Sequence, residues 1–206
     1  MEYSFDPPVR SSDDWRPNLI GGYFADQGWC GRSLNGGLLR FHDAMSAQIG
    51  QELVDAMFRT RGIVTEVFAF DWLARQYAVT SRLTPEGMPD RTESARTVVV
   101  LDAFDGSVTP WVDVHRFEQA LGTTMAQDFL LPNLFQEWLA KVAIDRLEFD
   151  WCAGANVPAF YGGKRELSNL NHDSIEVYLY FTRQLWDYGN EHGPGSPPPH
   201  VRRANA

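Results

Sequence analysis

The sequence predicts an α+β domain, an antiparallel meander of about five strands with helices packed mainly on one face. Three observations predict it. Val64–Phe70 and Gln76–Thr80 are runs of β-formers joined only by Asp71-Trp72-Leu73-Ala74-Arg75, the pattern of an antiparallel hairpin. Thr97–Leu101 and Val108–Val112 flank Asp105-Gly106, a strong hairpin turn signal. Between them in kind, Met45, Ile49, Leu53 and Met57 recur at four-residue spacing with Val54 and Phe58 alongside, which predicts an amphipathic helix.

In the central hairpin, Phe68 and Phe70 are expected on one face of the first run, and Tyr77 and Val79 on one face of the second. Asp71 is placed to cap the connection and Arg75 to pair with it, while Trp72 seats the loop on the core. Leu38–His42 reads as the first strand, and Asp43 as the N-cap of the helix that ends near Gly62. Thr97–Leu101 is apolar on both faces and so belongs inside the sheet; Pro110 consigns the returning strand to an edge. Asp113 then caps a short helix with Val114, Phe117 and Leu121 inward. Pro132 opens another, with Leu134, Phe135, Trp138, Leu139 and Val142 inward and Glu137 paired with Lys141 outside. Phe149–Arg165 looks irregular. Asp173-Ser174-Ile175-Glu176 resembles a capping box ahead of a helix that buries Ile175, Tyr178, Leu179, Phe181 and Leu185.

The expected organisation is an extended arm over residues 1–20, one domain over 21–187, and a Pro/Gly-rich disordered tail over 188–206. The long segment Leu83–Ser94 reads as a surface loop. Apolar residues at 44% and aromatics at 13% supply a sizeable core, and no apolar run is long enough for a transmembrane helix. The acidic, Pro-containing start is unlike a secretory signal, and the two cysteines lie far apart, so buried thiols in the cytoplasm are expected.

The net charge of −9 opposes binding to nucleic acid or anionic membrane and favours a cationic partner; solubility alone explains it equally well. Glycines around Ser33–Gly37 suit tight turns, since no Gly-Lys-Ser/Thr follows to make a phosphate loop. His42-Asp43, Asp113–His115 and His172-Asp173 each bring a carboxylate near an imidazole in sequence, but an aspartate at a helix start is ordinarily a cap. Trp151-Cys152-Ala153-Gly154 matches no nucleophile motif. No catalytic, metal or cofactor motif emerges.

Three blocks do resemble a family. Ser33–His42 (SLNGGLLRFH), Phe68–Ala78 (FAFDWLARQYA) and Cys152–Gly163 (CAGANVPAFYGG), with Asn169-Leu170 and Ile175–Tyr178 behind them, are similar to blocks of bacterial immunity proteins of the SUKH and GAD-like type, associated with type VI secretion. The resemblance covers residues 20–187, and this chain has Ala74 where such proteins often have Gly after Asp-Trp-Leu. It implies a cytoplasmic antitoxin, without catalysis or cofactor, that binds and occludes a co-encoded toxin, a cationic nuclease effector being one such target. Candidate contacts are Asp71, Trp72, Asp102, Asp105, Asp113 and Glu118, all near strand ends or helix starts, where capping is at least an equal explanation. The alternatives are an intracellular SUKH-like interaction module and an enzyme with an unrecognised site. Neither the oligomeric state nor the surface used follows from the sequence.

Overall fold

In a computed structural model, which describes residues 3–8, 15–20, 23–58, 63–82 and 96–193, six strands follow one another across a single antiparallel sheet. They are β1 (Ser33–Leu34), β2 (Leu39–Phe41), β3 (Ile63–Asp71), β4 (Gln76–Arg82), β5 (Thr97–Asp102) and β6 (Ser107–Asp113), and their order in the sheet is their order in the chain. A second, two-stranded sheet pairs β7 (Trp151–Ala155) with β8 (Leu170–Ser174). The fold class is therefore α+β with an antiparallel meander, one strand longer than expected. The segment expected to be irregular contains β7, because Trp151–Ala155 carries no alternation and becomes a strand only through pairing with β8 later in the chain.

Short α1 (Tyr23–Asp26) precedes β1, and α2 (Ala44–Met57) joins β2 to β3. At its start, the Asp43 carboxylate accepts the Ser46 backbone N–H (2.8 Å) and the Ser46 hydroxyl accepts that of Asp43 (3.1 Å), a reciprocal cap. After β6 come α3 (Phe117–Leu121), α4 (Thr124–Leu130) and α5 (Pro132–Val142); α6 (Ile175–His192) closes the described chain. Its first helical residue is where the sequence places it, yet Ser174 makes no side-chain cap: Asp173 and Ser174 are committed to β8. The boundary expected at residue 188 falls inside α6. Residues 83–95 and 194–206, which hold the expected surface loop and most of the expected tail, lie outside the described residues.

Helices cover both faces of the sheet, not mainly one. On one face Phe68, Tyr77, Val79, Val98 and Val100 meet α1, α3, α4 and α5. On the other, Val67, Phe70, Ala78, Val99 and Leu101 meet α2, α6 and β7. The reason is legible in β5, whose consecutive valines need an apolar partner on each side. The first face holds a pile of rings: Phe24 stacks on Phe68 at 5.0 Å, and Phe117 stands edge-on to Phe68 at 5.1 Å. Burial of each such ring contributes about 1.5–3 kcal/mol.

Phe68 and Phe70 lie on opposite faces, contrary to simple alternation. Val67 pairs with Ala78 and Ala69 with Tyr77, so Phe68 is the extra residue of a bulge. One inserted residue reverses the parity of all that follows it. Phe68 joins the ring pile, and Phe70 turns toward α2. Tyr77 and Val79, with no bulge between them, do share a face. Pro110 stands on the edge strand as expected, beside a second irregularity that leaves Trp111 between the pairs Val98–Val112 and Val99–Pro110.

Described residues of the N-terminal arm are docked, through the aromatic residues Tyr3, Phe5 and Trp15 that the sequence offers as docking points. Phe5 bridges to Leu34, Leu19 is buried, and Tyr3, Phe5 and Trp15 pack on the core. Lys141, expected to pair with Glu137, donates to the carbonyls of Leu167 (2.5 Å) and Leu170 (2.9 Å) and so ties α5 to β8.

Candidate functional site

Three of the six candidate contact residues are internal. Asp71 is fully buried at the end of β3: Oδ1 accepts the N–H groups of Leu73 (3.0 Å) and Arg75 (3.1 Å), and Oδ2 accepts from Arg75 Nε (2.7 Å) and Tyr77 Oη (3.1 Å). Its expected roles as loop cap and partner of Arg75 both hold. Burial, with the Asp71 carboxylate next, pushes the Tyr77 phenol well above its ordinary pKa. Trp72 is fully buried and donates from Nε1 to the Leu130 carbonyl (2.8 Å), with Phe135 and Trp138 against its ring. Asp102, also buried, accepts from the Phe104 N–H (3.0 Å) and pairs with Arg165 (2.5 Å). Burial raises its pKa, and Arg165 pulls it back.

The other three lie nearer the surface, in two places. Asp105 is exposed at the tip of the β5–β6 hairpin, where its carboxylate accepts the Ser107 N–H (2.9 Å). Asp113 is exposed at the far end of β6 and caps the turn through His115 N–H (2.9 Å). Half-buried Glu118 is held by the hydroxyls of Tyr3 (3.4 Å) and Tyr23 (3.1 Å). The length of β6 separates Asp105 from Asp113 by roughly 20 Å. The six therefore do not form one patch.

Ala74 lies in the left-handed region, φ 61°. That conformation costs a residue with a Cβ roughly 1–2 kcal/mol, which is the physical reason for glycine at such a position.

The sheet's second face carries a polar seam that the sequence did not announce. Arg40 on β2 is fully buried: Nη1 donates to the carbonyls of Glu148 (3.1 Å), Phe149 (3.1 Å) and Trp151 (2.5 Å), and Nη2 to that of Asp71 (2.7 Å). Its guanidinium lies 4.5 Å from the centre of the Phe70 ring, and burial lowers its pKa to about 10. A basic residue inside an apolar strand was the available signal, since such a side chain must find acceptors or leave the core.

Beside it, His42 is buried against Phe70, the ring centres 4.6 Å apart. Gln76 donates from Nε2 to the Ala74 carbonyl (3.0 Å), which turns its Oε1 toward His42 Nε2 (3.1 Å). That arrangement sets the proton on Nε2 and leaves Nδ1 to accept from the Ser46 hydroxyl (3.0 Å). The same hydroxyl stands 2.7 Å from Asp43 Oδ1, so one proton serves two acceptors. Serine, imidazole and carboxylate thus meet, but the acid rests on the serine rather than orienting the imidazole. Burial lowers the His42 pKa to about 3, which makes it a weak base at neutral pH.

Above this seam lies a pocket of about 250 Å³ between α2 and α6, floored by His42, Phe70 and Gln76. Gly50 permits it: a Cβ there would stand 2.4 Å from Gln76 Oε1 and 3.2 Å from the His42 ring. Met45, expected inward, is instead 68% exposed at the pocket's edge. Phe181, also expected inward, is exposed on α6, and Thr182 takes the buried position, donating to the Tyr178 carbonyl (2.8 Å).

No family model matches the chain and no curated protein matches it. Among solved structures, Atu4351 from Agrobacterium tumefaciens is similar over 74% of this chain and 69% of its own, at 11% identity and a TM-score of 0.47. At that level the likeness carries no argument about function.

Cys30 and Cys152 are buried free thiols, and burial pushes the Cys152 thiol well up, away from the reactive thiolate. The described histidines are dispersed: His42 between β2 and α2, exposed His115 after β6, half-buried His172 on β8 against Trp151, and exposed His192 at the end of α6. Among the described residues no helix is long and apolar enough to cross a membrane, and no group of three or more His, Cys, Asp or Glu is placed to hold a metal ion.

Proposed function

We propose that this chain is an immunity protein that neutralises a cognate bacterial toxin by binding and occluding it, and that it transforms nothing itself. The reading originates in the three sequence blocks that resemble SUKH and GAD-like immunity proteins. One structural observation carries it further: those blocks, far apart in sequence, are joined into one unit. Trp72 donates its backbone N–H to the Leu38 carbonyl (3.2 Å), and its own carbonyl accepts from Ala153 (2.7 Å). Arg40 of the first block holds the Asp71 carbonyl of the second and the Trp151 carbonyl beside the third. Gly154 fits under Tyr178, where a Cβ would come within 2.8 Å of the ring. The resembling residues thus build one scaffold, rigid enough to present a preformed surface to a partner.

The chemistry of the interior is consistent with a binding role. Asp71, Arg75, Asp102 and Arg165 neutralise one another inside the fold. The charge of −9 on the whole chain favours fast, salt-sensitive capture of a cationic toxin domain, such as a nuclease whose groove is built for phosphate. The test is to co-express the protein with the product of the adjacent gene. Rescue of growth and capture of that product are expected; neither rescue nor capture would remove the proposal.

A further inference from the structure

Helix α6 carries two apolar stripes where a surface helix ordinarily carries one. Ile175, Tyr178, Leu179 and Thr182, at i, i+3, i+4 and i+7, form the buried stripe, and its three larger members pack with α2 and β7 on the sheet's second face. On the opposite side of the helix Val177, Tyr180 and Phe181 are 50%, 60% and 42% exposed, and exposed Gln184 continues the same spacing. The Tyr180 and Phe181 rings stand 6.0 Å apart, and none of the three packs into the core on either face of the sheet. Contiguous exposed apolar side chains of this size mark a contact surface.

The charged edge of this stripe identifies what covers it. Glu176 precedes Val177 and Arg183 precedes Gln184, so an exposed carboxylate and an exposed guanidinium sit two turns apart on one edge. On a second copy of α6 laid antiparallel, the same two charges run in the reverse order. With Val177 set against the second copy's Tyr180, each Glu176 comes opposite an Arg183, and the two Phe181 rings meet on the other edge. A parallel pairing leaves both charges against rings, Phe181 and Tyr188, and an antiparallel pairing shifted by two turns sets Val177 against Asp187. One register therefore satisfies the charges and the apolar residues together. The Arg183–Asp187 pair within the helix is 3.6 Å long with both side chains about half exposed, a contact weak enough to be exchanged.

We infer that the outer face of α6 is a self-association surface, on which two copies pair antiparallel about a two-fold axis with reciprocal Glu176–Arg183 ion pairs. The same patch serves both copies, as a two-fold contact requires. One helix face from each copy is a small contact, and the net charge of −9 repels the second copy, so the dimer forms with a dissociation constant in the micromolar range. Self-association is independent of toxin binding, and neither result decides the other.

Sedimentation equilibrium of the full chain, from micromolar to millimolar concentration, reads the association. Wild type is expected to pass from monomer to dimer. Glu176→Arg and Arg183→Glu each set like charges opposite one another and are expected to weaken dimerisation by about tenfold, both sites being exposed and the fold retained. Mixed in equal amounts, the two variants are expected to form a heterodimer that approaches wild-type affinity, because each supplies the charge that the other lacks. Val177→Ser with Phe181→Ser is expected to abolish dimerisation. A wild type that stays monomeric throughout overturns the inference. A dimer that these substitutions leave undiminished, or a mixture no tighter than either charge variant alone, overturns this face and register.

Discussion

The connection between β3 and β4 and the outer face of α6 are both rich in residues that attract attention in a sequence, and they have opposite fates. In the connection, Asp71, Trp72 and Arg75 are closed off: each polar atom named above has a partner, and the loop serves as an internal strut. On α6, Val177, Tyr180 and Phe181 face outward, although aromatic and branched residues at that spacing ordinarily mark a core. Charge near a strand end went to capping inside the fold, and apolar bulk on a helix went to solvent. Intuition assigns the two the other way round, because a side chain's fate depends on what packs above it rather than on its polarity.

Three changes would break or sharpen this contrast. The largest effect is expected in the buried strut. Asp71→Asn leaves the Arg75 guanidinium in the interior without its carboxylate and should lower unfolding free energy by about 3–5 kcal/mol. Urea denaturation measures it, and a loss below about 1 kcal/mol would mean that the pair does not brace the loop.

The seam under the pocket should respond to acid. A His42 pKa near 3 in the fold, against 6.5 when unfolded, means that the unfolded chain binds the extra proton between those values. Stability from this group is fully present above about pH 6.5 and is lost as the pH falls toward 3, by up to about 1.4 kcal/mol per unit. His42→Gln should flatten the pH dependence of the urea midpoint between those limits. An unchanged slope would assign the acid sensitivity to other groups.

The smallest effect belongs to α6. Tyr180→Ser and Phe181→Ser are expected to change stability by no more than about 0.5 kcal/mol each, since both side chains already face solvent. Thermal melts of the two variants check this. A substantial loss would show that these rings brace the fold.

Local chemistry made much of the architecture legible. Asp43 caps α2, Asp113 caps the turn before α3, Pro132 opens α5, and Asp105-Gly106 turns the β5–β6 hairpin, with Gly106 at φ 72°. Each depends on residues within a few positions of one another, so the sequence alone determined them, together with the antiparallel meander they generate. The tertiary structure decided everything that needed a distant neighbour. The bulge at Phe68 sent Phe68 and Phe70 to opposite faces, and β7 waited for β8 to become a strand. Helices from both halves of the chain covered both faces of the sheet. The pocket between α2 and α6 is the clearest case: Gly50, His42, Gln76 and Leu179 come from four separate segments, and nothing in any one of them foretells that they meet. Capping and turning are short-range and written in adjacent residues; faces, seams and cavities arise from packing, which the order of residues constrains only through the whole fold.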